Sequence, residues 1–432
     1  MSHLLENGMQ FHFLFRRLIA LTAVLFLAWV HHAAAADTRW FKGNLHTHTL
    51  WSDGDSYPEV IINYYKTNGY HFLALSDHNI VQTNSEHWIN VTNTRGGTNA
   101  LAVYLQQFGA KWVEQRAQNG TNQVRLKTFN EFRPLFDKKN EFLLMLGEEI
   151  SDRHLSAPIH MNVSNVRSLI KPQGGTSVTD VIQNNVNAVL TQRKKTGQPM
   201  MPHLNHPNFQ WAVTAEEILP VKGEKFFEVY NGHPGVRNEG DATHASTERI
   251  WDILLTRRLA ELKLEPLYGL GTDDSHHYLA IEPNKSNPGR GWVMVNAKDL
   301  SARSLIKAME AGDFYASSGV TLKNMKRGPK VYSIEIEPNE GVTYTTQFIG
   351  TRKGYDPKNE PVRSENGTPL RVTHRYSKDI GVVLAEVKGT SASYKLKGDE
   401  IYVRAKIMSS KLMNNTAIKD EVERAWTQPL VP

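Results

Sequence analysis

The chain has 432 residues, 40% of them hydrophobic and 22% charged, with 30 Gly, 19 Pro and no Cys. That composition excludes a disordered chain, a collagen-like repeat and a disulfide scaffold, and the lack of Cys excludes thiolate-bound zinc and thiol nucleophiles. The net charge of +6, from 50 Lys+Arg against 44 Asp+Glu, is spread along the chain and is too mild to argue for a nucleic-acid partner.

Residues 1–36 read as a leader rather than as fold. Arg16 and Arg17 precede an apolar stretch, Leu18 to Val30, and Ala33 to Ala36 form a small-residue cleavage site before Asp37. This is the order of a secretory signal peptide. The apolar stretch is too short for a hydrocarbon core of about 30 Å. The expectation is a periplasmic or secreted protein with no stable membrane span after cleavage.

From 37 to 325, short apolar runs alternate with amphipathic helical stretches, the βα pattern of a parallel sheet or barrel. Trp40-Phe41 leads into Asn44-Leu45 and then His46-Thr47-His48. Ser56 and Glu59, with Pro58 between them, predict a capping box that opens a helix. Phe72 to Leu75 predicts a strand ending in Ser76-Asp77-His78. An insert from Glu86 to Lys139 reads as helix-biased, with a lid-like loop at Gly96-Gly97. Further runs end in Glu148-Glu149, His160, His203 and His206, Glu228 and Asn231, and Asp273-Asp274-Ser275-His276. In a βα barrel such ends converge on one mouth.

His46-x-His48 places two imidazoles on one side of an extended segment, a chelate for a borderline metal. Asp53, Asp77-His78, Glu149 and Asp274-x-His276 each have a bland reading as turn or strand-end residues. Together they form a set rich in His and carboxylate that suits hydrolysis by metal-activated water. Asn231 and Arg290 are the candidate substrate contacts. Arg290 has a guanidinium suited to phosphate, against the ordinary reading of a solvated loop residue. His203 reads as a packing residue.

His46-Thr47-His48 with Ser52-Asp53-Gly54, Ser76-Asp77-His78, Glu149, His160, His206-Pro207 and Asp274-Ser275-His276 resemble, in order, the motifs of the PHP (polymerase and histidinol phosphatase) family of metal-dependent phosphoesterases. The resemblance implies an α/β fold, a distorted (βα)7 barrel holding two or three divalent ions such as Zn, Mn or Fe. It implies one ion on His46, His48, Glu149 and Asp274, a second on the shared Glu149 with His160 and His206, and a third on Asp53, His78 and His276. Asp53 stands where some members have His. The spacings Gly-x-Glu and Asp-x-His favour Glu149 over Glu148 and Asp274 over Asp273. Asp77, His78 and Asp274 are the expected catalytic group, with Asp77 orienting His78 or its metal-bound water, against the ordinary reading of a turn residue.

From 326 to 432, alternating runs at Val331–Ile336, Val342–Phe348 and Ile401–Ile407 predict a small sandwich-like β domain, with Trp426 beyond its last strand as a core or interface plug. The expected whole is an exported phosphoesterase acting on a small phosphorylated substrate, with no nucleic-acid partner. Amide or lactone hydrolysis on the same ligands, and non-catalytic phosphate or sugar binding, remain the alternatives.

Overall fold

The computed structural model describes residues 38–432. The expected leader lies outside the described residues. Among the described residues, no helix is long and apolar enough to cross a membrane.

The architecture is mixed α/β around one large sheet. Strand β1 (Arg39–Asn44) pairs in parallel with β2 (Phe72–Leu75), and α1 (Pro58–Thr67) crosses between them. Position 56 makes no capping box. Tyr57 is the N-cap, and buried Glu59 instead accepts from Tyr104 Oη and Trp112 Nε1. Next comes an insert in which β3 (Trp88–Asn90), β4 (Gln115–Gln118) and β5 (Thr121–Arg125) form a separate antiparallel sheet beside α2 (Gly97–Phe108). The helix-biased expectation for this insert is therefore corrected. The Asn119-Gly120 turn, with both residues at positive φ, makes a hairpin of the polar β4 and β5.

After α3 (Phe129–Phe136), β6 (Leu143–His154) pairs with β2 in parallel, then folds back through a two-residue turn into antiparallel β7 (Ala157–Ser164). Helix α4 (Val178–Thr196) leads to β8 (Met201–Leu204), antiparallel to β7, and β9 (Phe226–Asn231) and β10 (Tyr268–Thr272) follow in parallel. Strands β11 (Trp292–Ala297) and β12 (Phe314–Ser317) lie beyond β1 in the same sheet.

The expected closed (βα)7 barrel is not what forms. The two-residue turn between β6 and β7 leaves no room for a crossover helix, so β7 runs against its neighbours. No ladder closes β10 onto β1 among the described residues. The two meet just past their ends, at a single parallel bridge between Thr47 and Ser275.

The sheet continues into the C-terminal part. It runs from β12 to β21 (Val422–Thr427), then β20 (Glu400–Leu412), β15 (Tyr344–Arg352) and β18 (Val382–Lys388), a 13-stranded order in all. Strands β13 (Leu322–Arg327), β14 (Val331–Ile336) and β19 (Ser391–Lys395) form a second sheet. It packs against the first through Tyr332, Ile334, Phe348, Tyr394, Val403 and Ile407. A two-residue pair, β16 (Asn359–Glu360) with β17 (Arg375–Tyr376), completes the set. Trp426 sits inside β21 rather than beyond the last strand, and its ring stacks on Tyr230 of β9 at 5.2 Å.

Strand alternation sets the floor of the site. Phe72, Ala74, Met145, Met201, Phe226 and Leu270 share one apolar cluster. The intervening Leu73, Leu75 and Leu144 join the cluster with α1 and α3.

Candidate metal centre

The ends of β1, β2, β8 and β10, with the middles of β6 and β7, bring six His and three carboxylates together. Among them His46, His48, Glu149, His206 and Asp274 are buried. The Nε2 atoms of His46 and His48 lie 3.2 Å from Asp274 Oδ1, and 3.5 and 3.3 Å from Glu149 Oε2. On its other side, Glu149 Oε1 faces His160 Nδ1 at 3.0 Å and His206 Nε2 at 3.6 Å. Asp53 Oδ1 lies 3.2 Å from His276 Nε2, 3.6 Å from His78 Nε2 and 3.8 Å from His48 Nδ1. The three sets share members, and Glu149 stands between two of them.

Local backbone explains the convergence. The bridge from Thr47 to Ser275, with His48 N–H donating to Ser275 O at 3.0 Å, ties the two His-bearing ends together. Asp274 holds φ at 49°, a conformation uncommon for a residue with a Cβ and frequent at functional sites. Gly54 lets the next loop fold onto His48, because a Cβ there would stand 2.5 Å from the His48 carbonyl oxygen. Asp53 is thereby carried to the imidazoles.

The neighbouring carboxylates separate cleanly. Glu148 points away from the cluster, where its Oε1 accepts from Ile170 N and burial pushes its carboxyl up to about 8. Asp273 is held by Tyr65 Oη and by the backbone N–H groups of Gly289, Arg290 and Gly291.

Several expected roles are corrected. Asp77 does not touch His78. Its carboxylate accepts from Thr49 N and Oγ1, Ser52 Oγ and Gln82 Nε2, so it fixes the loop leading to Asp53. His78 is positioned instead by Ser151 Oγ at 2.6 Å and Glu149 at 2.8 Å. Arg290 is neither solvated nor open to a ligand. It is fully buried and donates to Gly232 O, Glu282 O and Asn415 Oδ1. Asn231 turns inward, donating to Glu228 Oε2 and Asp274 Oδ2 at 2.8 and 3.1 Å.

Two supporting residues escaped the sequence reading. Glu228, expected only to end a strand and line the mouth, accepts from His46 Nδ1 at 2.6 Å, from His206 N and from Thr272 Oγ1. A carboxylate on one imidazole nitrogen fixes the tautomer that presents the other nitrogen to the cluster. Asn205 donates to Glu149 Oε1 at 2.7 Å. Its place between His203 and His206, and the Glu-x-x-Asn spacing of 228 and 231, were the available signals.

The donor set fits cations. His46 Nε2, both nitrogens of His48, Asp53 Oδ1 and Glu149 Oε2 are buried without a hydrogen-bond partner. Buried polar atoms are ordinarily paired. Ligands about 2.0–2.2 Å from one ion stand about 3–3.5 Å apart, close to the separations seen here. Charge follows the same arrangement. Burial, reinforced by the His276 and His78 charges, lowers His48 to about 3 and keeps it neutral. Burial opposes ionisation of Glu149, but His78, His46 and His160 outweigh it and hold the carboxyl well below its usual range. For His78, burial is overcome by Glu149, Asp53 and Asp274, which raise it to about 9.

No family model matches the chain, and no curated protein does. Among solved structures, it is similar to a two-domain protein from Bacteroides vulgatus that contains a predicted PHP-like metal-dependent phosphoesterase. The identity is 15%, over 91% of this chain and 96% of that one, with a TM-score of 0.38. A candidate metal-dependent phosphoesterase from Bifidobacterium adolescentis shares 14% identity over 54% of this chain and 87% of its own, with a TM-score of 0.28. Likeness at this level carries no argument about the chemistry of this chain.

Proposed function

We propose that the chain is a metal-dependent hydrolase of phosphate esters, exported by its leader and acting on a small phosphorylated substrate. The observation that carries this reading is Glu149, whose two carboxylate oxygens face different groups of imidazoles. His46, His48 and His78 lie toward Oε2, and His160 and His206 toward Oε1. A carboxylate so placed suits two cations side by side, and Asp53 with His48, His78 and His276 offers a third position. The ordered motif resemblance supports the PHP type.

Bound divalent ions would supply Lewis acidity toward the phosphoryl oxygens and an activated water. The chain's own residues hold that chemistry in place. Glu228 keeps His46 Nε2 turned to the cluster, Asn205 aims Glu149 Oε1, and Asn231 aims Asp274 Oδ2. His78, part-exposed at the rim, is held at Nδ1 by Ser151 and Glu149 and turns Nε2 toward Asp53, so it would serve the third position as a ligand. The apolar floor beneath excludes water from the side opposite the mouth.

The test is metal analysis of protein loaded with Mn²⁺ or Zn²⁺, with turnover of 4-nitrophenyl phosphate and bis(4-nitrophenyl) phosphate. Two or three ions per chain and ester hydrolysis are expected, and Asp274→Ala should lower metal content and cut turnover at least ~100-fold. Full turnover in that variant would place the chemistry elsewhere. Esters left intact while amide or lactone substrates turn over would assign the same ligands to another bond.

A further inference from the structure

A cleft opens beside the metal cluster, and its wall is the insert. It has a volume of about 460 Å³ and is lined by Trp51, Asp53, His87, Ile89, Asn90 and Arg95, among others. Asp53 therefore belongs both to the cluster and to the cleft. The space adjoins the cluster through Asp53 and is of the size that encloses a small ligand.

Two donors of the cleft are free or loosely held. The Trp51 ring is nearly buried, at 4% exposure, and its Nε1 has no hydrogen-bond partner. Several oxygens that line the cleft are already engaged, while Asp53 Oδ1 turns to the imidazoles of the cluster. Ser52 Oγ donates to Asp77, Asn90 Oδ1 accepts from Thr92, and Thr94 Oγ1 donates to Val91 O. Arg95 stands half-exposed at the rim, and among the described residues its side-chain partner is Asp53 Oδ2 at 3.5 Å, a loose contact. The His87 ring packs on Trp51 at 4.6 Å and adds a flat wall.

We infer that this cleft is the leaving-group subsite, and that Arg95 selects phosphate esters whose leaving group carries an oxyanion, a carboxylate or a second phosphate. The inference rests on the phosphoesterase reading and adds the substrate class to it. A guanidinium binds such oxyanions in a planar, two-pronged fashion, and the neighbouring indole N–H adds a donor. Asp53 faces the cluster through Oδ1 and meets Arg95 only loosely through Oδ2, which leaves the guanidinium's other donors for the substrate. Hydrolysis then breaks the P–O bond, with water supplying the oxygen to phosphorus and a proton to the departing alcohol, which leaves through the cleft.

The test compares phenyl phosphate, 4-carboxyphenyl phosphate and 1,4-phenylene bisphosphate on metal-loaded protein. The wild type should favour an anionic ester in kcat/KM by about tenfold or more. Arg95→Ala should collapse that ratio toward one, Arg95→Lys should keep part of it, and the better anionic ester names the anion. A second readout needs no turnover: calorimetric binding of 4-carboxybenzylphosphonate against benzylphosphonate, in wild type and Arg95→Ala, with metal content measured alongside. Discrimination in binding without hydrolysis would sink the phosphoesterase reading and keep the subsite. Hydrolysis with no discrimination, or with all esters and metal content falling together in Arg95→Ala, would overturn the subsite, the latter because Arg95 would then act only through Asp53.

Discussion

Two buried polar regions of this molecule are built on opposite rules. In the C-terminal part, Arg404 of β20 lies buried against Asp252. Its Nε and Nη2 each donate at 2.8 Å, Tyr402 Oη adds a bond of 2.7 Å, and Glu248 with Lys406 flanks the pair. Every charge there has an opposite charge or a donor within the fold. At the metal centre, His46 Nε2, both nitrogens of His48, Asp53 Oδ1 and Glu149 Oε2 are buried with no hydrogen-bond partner. A saturated network holds elements together; an unsaturated one of the same burial marks a place where something from outside completes the bonding.

Breaking the saturated side should cost folding and spare the site. Arg404→Ala leaves Asp252 buried without its bidentate partner and should destabilise the protein by about 3–5 kcal/mol. Denaturant unfolding would measure this. The folded fraction should still bind the wild-type complement of metal. Loss of metal without loss of stability would erase the distinction between the two regions.

A third kind of buried charge sharpens the contrast. Glu224 is buried, and its Oε1 accepts from Lys225 N and Phe226 N while Oε2 has no partner. Burial dominates and pushes its carboxyl up to about 8, with Arg258 pulling the other way. The folded state therefore binds this proton more tightly than the unfolded chain does. Its contribution is fully present below the ordinary Glu range of about 4.3, and is lost as pH rises through about 8. Stability should fall by about 2–4 kcal/mol between pH 5 and 9 from this group. Glu224→Gln, which keeps the acceptor, should remove that part of the slope in melting temperature against pH. An unchanged slope would mean that Glu224 is ionised in the fold.

The site was more legible than the fold that carries it. His46 and His48, Asp77-His78 and Asp274-x-His276 were visible because strand alternation and strand ends are local properties, and the converging side chains need only two or three residues of spacing. The Glu148/Glu149 and Asp273/Asp274 ambiguities could be narrowed by spacing; Glu148 and Glu149 lie on opposite faces of β6, whereas Asp273 and Asp274 follow β10 and are separated by the positive φ of Asp274. The barrel was not legible. The two residues between β6 and β7 were there to be read as a hairpin, as was Asn119-Gly120, but apolar periodicity drew the eye to βα units. The run of the sheet from β12 into β21 joins Ala316 to Trp426, a pairing between distant positions that no local pattern carries. The place of Arg290 is hidden for the same reason, since two of its partners, Gly232 and Asn415, lie far along the chain.

Glu228 stands between the two regions, a saturated carboxylate whose work is done at the unsaturated centre. It carries no open valence, with donors from His46, His206, Asn231 and Thr272 around it. Burial opposes its ionisation, but His46 and His203 outweigh it and hold the carboxyl well below the usual range. Glu228→Gln preserves shape and most acceptors but replaces the anion behind His46 with a neutral amide, weakening the imidazole as a ligand. Metal affinity should fall by about 10–100-fold, read by competition with a chromogenic chelator, while the melting temperature of the metal-free protein moves little. If stability collapses and affinity per folded molecule holds, Glu228 belongs to the structural network, and His46 takes its orientation from packing alone.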